Sequence, residues 1–96
     1  MSDSTDPFEK FRKLLTETYL YPANYTHKFI GKNSELFRLS VIEFEGKFVG
    51  LTRVGEKMSA NGNHVALTYD FLAASPEDII ELAQATYRVS DLLYIL

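Results

Sequence analysis

An α+β fold, with a four-stranded antiparallel sheet and its main helices on one face, is what this sequence predicts, and three observations carry it. Apolar stripes at helical spacing and β-type runs follow one another in the order helix, strand, helix, strand, strand, helix, strand. Asn61-Gly62 is a strong hairpin signal that joins the two consecutive β-type runs. The run after it, Val65 to Phe71, alternates strictly between apolar and small or polar residues.

Residues 1–5 read as a solvated tail. Asp6 is placed to cap a helix and Pro7 to open it, since the N–H that proline lacks has no partner in a first turn. The helix is predicted from Pro7 to Tyr19, with Phe8, Phe11, Leu14, Leu15 and Thr18 forming one apolar stripe. Pro22 and Asn24 end the helical tendency, and Tyr25 to Ile30 is a first strand closed by Gly31. Asn33 or Ser34 caps a second helix that begins near Glu35, carries Leu36, Phe37, Ser40, Val41 and Phe44 on or beside one face, and frays at Gly46.

Between Phe48 and Met58, Val49, Gly50, Thr52, Val54 and Gly55 favour extended or bent backbone, so a second strand with a bulge is expected. Asn61 and Gly62 fit the two central positions of a type I′ turn, where both residues need positive φ. In the third strand Val65, Leu67, Tyr69 and Phe71 point to the helices, and Ala66, Thr68 and Asp70 point away. Ser75 caps the next helix, Pro76 opens it, and Asp78 is spaced to reach back to the cap. Ile79, Leu82, Ala83 and Thr86 form its buried stripe, and Leu92 to Leu96 is an apolar run of the kind found in sheets. The order is that of two split βαβ units, a ferredoxin-like βαββαβ plait with an extra N-terminal helix. Residues 1–20 then form a tail and helix, and residues 21–96 a single domain.

Composition narrows function mainly by exclusion. The absence of cysteine removes disulfides and thiolate chemistry, so a cytoplasmic location is the expectation. The first six residues lack the basic start of a signal peptide, and no apolar run is long enough to span a bilayer. Neither a membrane nor nucleic acid is expected as a partner, because the net charge of −3 opposes a phosphate backbone at long range.

Three pieces of the chain resemble the YbeD-like family of small bacterial proteins of unknown function. An aromatic-Pro step leads into a strand and glycine, from Tyr21-Pro22 to Gly31; a Ser-x-Asn-Gly hairpin, Ser59 to Gly62, enters an alternating strand; and a helix with an apolar final strand runs from Ser75 to Leu96. The middle segment, Phe44 to Glu56, is richer in glycine and phenylalanine than the family pattern, and the N-terminal helix is longer, which suits a distant branch. The resemblance implies a plait like that of ACT-type regulatory domains. It implies no known enzymatic activity, cofactor or catalytic residue.

The residues themselves offer little chemistry. His27 and His64, the only histidines, fall on different sides by strand parity and do not make a metal set; His27 reads as partly buried and His64 as facing solvent. Ser59 and His64 flank a turn with no third orienting group. The loop Gly31-Lys32-Asn33-Ser34 leads into a helix N-terminus, where an anion can bind. An RNA-recognition surface is disfavoured, since Tyr69 and Phe71 fall on the helix-facing side.

What remains is the open sheet face. Thr26, Lys28, Ala66, Thr68 and Asp70 share it, with a possible Lys28 to Asp70 pair. Leu93 and Ile95 join it if the last strand alternates, although the N-terminal helix, through Phe8, Phe11 and Leu15, is an alternative cover. The sequence therefore predicts a non-enzymatic regulatory or adaptor domain, without cofactor or metal, that acts through a protein partner or its own copy on that face. The alternative is an ACT-like sensor of a small metabolite such as an amino acid, bound near Lys28, the Gly31 loop or a dimer seam.

Overall fold

A computed structural model describes residues 6–96. The predicted solvated tail, residues 1–5, lies outside the described residues. The elements are α1 (Glu9–Thr18), β1 (Ala23–Lys32), α2 (Glu35–Glu45), β2 (Leu51–Met58), β3 (His64–Ala73), α3 (Pro76–Thr86) and β4 (Leu92–Ile95). The strands form one antiparallel sheet in the order β2-β3-β1-β4. This is the predicted ferredoxin-like plait with a helix in front of it.

The covered face of the sheet holds an aromatic core. Phe29 of β1 and Tyr69 of β3 stack with ring centres 5.6 Å apart, and Phe44 of α2 stands edge-on to both at 5.6 and 5.9 Å. Leu67, Val41, Ile79 and Leu82 close around them, all 2% exposed or less. Tyr69 stays fully buried because its hydroxyl donates to Glu45 Oε2 at 2.6 Å, and Arg53 Nε donates to the same oxygen at 2.6 Å. Burial and the neighbouring Glu45 carboxylate both push the Tyr69 phenol well above its ordinary pKa, so it remains a donor.

Local corrections follow from particular groups. Asp6 caps the turn before α1, its Oδ1 accepting from the Phe8 N–H at 2.9 Å, so the helix starts two residues later than Pro7. β1 runs on through Gly31, which is buried in the strand because a Cβ there would lie 2.1 Å from the Phe37 ring. The β2–β3 connection is a five-residue loop and not a two-residue type I′ turn: of Asn61 and Gly62 only Gly62 has positive φ, at 76°. Asn61 acts through its side chain, whose Oδ1 accepts from Ser59 Oγ at 2.8 Å and from the Asn63 N–H at 3.0 Å. Asp78 reaches the Ala74 N–H at 2.8 Å, one residue short of the expected Ser75.

α1 packs beside α3 on the helix-bearing side and leaves the other face of the sheet open. Leu15 enters the core, and Arg12 binds Asp6 and Glu77 of α3. Leu14 and Thr18, the remainder of the predicted stripe, face solvent. Arg12 lies between Phe11 and Leu15 and holds its two carboxylates on the same side as α3, contacts that a stripe read from periodicity alone cannot anticipate.

Candidate functional site

The open face is ordered by strand register. Lys57, Ala66, Ile30 and Tyr94 stand directly opposite one another in a row across β2, β3, β1 and β4. Along β1, Lys28 and Lys32 flank Ile30; along β3, His64 and Thr68 flank Ala66. In β4 one extra residue, Leu93, bulges between the pairs Ile30–Tyr94 and Gly31–Leu92. Leu93 therefore stays on the open side with Tyr94, and the two line a hollow of about 310 Å³ with Ile30, Ala66, Lys57 and His64. Leu93 and Tyr94 are 40% and 54% exposed.

This bulge corrects one predicted site residue. Ile95 pairs with Phe29 and packs against the core, so it belongs to the covered face. Simple alternation fails there because the bulge shifts the parity. Thr26, Lys28, Ala66, Thr68, Asp70 and Leu93 lie on the open face as predicted. The proposed Lys28 to Asp70 pair is not formed: Lys28 stands opposite Thr68, and Asp70 opposite Thr26. Ile30, Lys32, Lys57, His64 and Tyr94 complete the surface and were absent from the predicted set, although strand parity in the sequence already placed Ile30 and Lys32 beside Lys28.

The face is electrostatically lopsided. It carries three lysines, Lys28, Lys32 and Lys57, against one carboxylate, Asp70, in a chain whose net charge is −3. Among the described residues, no ion pair within 4 Å involves any of the four. The two arginines Arg12 and Arg53, by contrast, are each bound to two carboxylates.

Residues 16–96 match the family described as "Protein of unknown function (DUF493)". The chain belongs to that family. The YbeD-like resemblance read from the sequence is this membership. No curated protein matches the chain. Among solved structures, protein HP0495 from H. pylori, determined in solution, superposes with a TM-score of 0.61 at 13% identity, covering 100% of this chain and 93% of that one. At that identity the likeness speaks for the shared fold.

The other candidate groups of this DUF493 chain are occupied. His27 is buried, with Nε2 2.9 Å from Thr86 Oγ1, and lies between the rings of Tyr25 and Phe29. Burial lowers its pKa to about 4, so the ring is neutral at neutral pH. His64 is exposed, and its backbone N–H donates to Ser59 Oγ at 3.0 Å, so the serine hydroxyl is engaged in the turn. The N-terminus of α2 already has an anion: Ser34 Oγ accepts from the Phe37 N–H at 3.0 Å and donates to Asp91 Oδ2 at 2.7 Å. An intrachain carboxylate thus stands beside the N-cap of the helix at which an external anion was expected. Among the described residues no cluster of His, Asp and Glu could hold a metal ion, and no helix is long and apolar enough to cross a membrane.

Proposed function

We propose that this domain is a non-enzymatic adaptor that binds an acidic segment of another protein on its open sheet face. One observation carries the reading: a half-exposed apolar row, Ala66, Ile30, Leu93 and Tyr94, lies within a frame of three lysines that take part in no ion pair among the described residues. Apolar surface ringed by one sign of charge suits a partner with an apolar anchor flanked by Asp or Glu, since the charges speed and orient the encounter and burial of the anchor supplies affinity.

Selection from a displayed library of random peptides checks this. The expected winners carry acidic residues on both sides of an aromatic or aliphatic residue, and a Lys28→Glu/Lys57→Glu variant fails to enrich them. Enrichment that is unchanged in the variant sinks the reading. A second reading, a sensor of a small metabolite, is supported by a separate cavity under α1.

A further inference from the structure

A second hollow of about 310 Å³ lies on the opposite side of the molecule, under α1. Its walls include Phe8 at the N-cap of α1, Phe11 of α1, Tyr25 and His27 of β1, Ala83 of α3 and Ile95 of β4. No side chain lining it carries a formal charge at neutral pH, and its volume is about twice that of an engineered cavity of about 150 Å³ that takes up benzene.

Proton accounting gives this space a chemical direction. Thr86 Oγ1 has one hydrogen, which it donates to Leu82 O at 2.7 Å, so toward His27 it can only accept. His27 must therefore carry its proton on Nε2, which leaves Nδ1 as a lone-pair acceptor. Nδ1 has no hydrogen-bond partner among the described residues, yet no side-chain nitrogen or oxygen sealed from solvent lacks a partner. Nδ1 therefore borders accessible space, and the space His27 borders is this cavity. The imidazole that holds the acceptor is itself 3% exposed.

We propose that the cavity under α1 binds a small uncharged molecule: an aromatic or branched apolar body with one N–H or O–H that donates to His27 Nδ1. The Phe8, Phe11 and Ile95 side chains would take the apolar body, and the single acceptor fixes its orientation. An uncharged ligand is favoured because an ionised one would shed its hydration against a wall of uncharged side chains. The site is independent of the open face and does not depend on the adaptor reading.

Indole and benzofuran are suitable probes, nearly equal in shape, of which only indole has an N–H. The full chain is titrated with each while the His27 ring nitrogens and the backbone amides are followed by NMR. Saturable shifts at the His27 ring and at Ala83 are expected with indole, together with transferred NOEs from indole to the Phe11 ring. Binding of benzofuran should be about five-fold weaker, the worth of one hydrogen bond. Ala83→Phe, which fills the cavity, should abolish binding of both probes. Three results overturn the proposal: no saturable shift with indole, NOEs to Ile30 and Tyr94 in place of Phe11, or equal affinity for the two probes. The NOE measurement on the unmodified chain decides the location even if Ala83→Phe fails to fold.

Discussion

Along β1 the side chains of Tyr25, His27, Phe29 and Gly31 belong to the covered face of the sheet, while Thr26, Lys28, Ile30 and Lys32 belong to the open one. The covered set is tied into a packed interior: Phe29 is fully buried among three aromatic rings, His27 is bonded to Thr86, and Gly31 makes room for Phe37. The open set has almost no intrachain partners, and its lysines take part in no ion pair among the described residues. On the adaptor reading, neighbouring residues of one strand separate stability from recognition. Truncations on the covered face should reduce folding stability, whereas changes on the open face should alter binding while the fold persists.

Phe29 and Ile30 give the widest contrast. Phe29→Ala removes a ring at the centre of the core and should cost about 4 kcal/mol, whereas Ile30→Ala, one residue along and half-buried, should cost about 1 kcal/mol. Urea unfolding of both variants measures the difference. Similar midpoints for the two would mean that the open face is as much a core as the covered one, and the division would be lost.

His27 sharpens the comparison through pH. Its ordinary pKa of 6.5 is lowered to about 4 in the fold, because burial penalises the charged ring. Between these values the unfolded chain takes up a proton and the folded chain does not, so stability is fully present above pH 6.5 and falls as pH drops toward 4. The total loss is about 3 kcal/mol. A His27→Phe variant should lack this part of the slope in urea midpoints taken across that range, and an unaltered slope would show that His27 is not held neutral.

The covered face was the legible one, and the reason is physical. Strict alternation in Val65 to Phe71 can be satisfied only by a half-covered strand, and Ser34, Pro76 and Gly62 carry backbone preferences that hold in any context. The candidate site was half legible. Thr26, Lys28, Ala66, Thr68 and Asp70 followed from parity, but the bulge at Leu93 moved Ile95 inward and brought Tyr94 outward. A bulge arises from how two distant strands fit together, and the five residues Leu92 to Leu96 contain no local sign of it. Asp91 at the N-terminus of α2 was hidden for the same reason, since its partner Ser34 lies 57 positions away.

Gly31 tests how tightly the covered face is fitted. A Cβ at this position would lie 2.1 Å from Phe37 Cε1, and the ring cannot retreat without disturbing the contact with Phe29, whose ring centre is 6.3 Å away. Gly31→Ala should therefore cost about 2 kcal/mol, an overpacking cost, although alanine is ordinarily the better residue in extended backbone. A stability within error of the parent chain would show that Phe37 has room to move and that the core is looser than its geometry implies.

The smallest expected effect lies on the open face. Lys57 is two strand spacings, about 10 Å, from the β1 strand that carries Lys28 and Lys32, close to the screening length at about 0.1 M salt. Like charges at that separation repel by a few tenths of a kcal/mol, and Lys57→Glu replaces the repulsion with attraction. Stability should stay within about 0.5 kcal/mol of the parent chain, with any change in the stabilising direction at low salt and none at high salt. Urea unfolding at two salt concentrations measures it. A salt-independent loss would mean that Lys57 has a structural role in the fold, leaving Lys28 and Lys32 as the lysines of the open face, among the described residues, that could meet a partner.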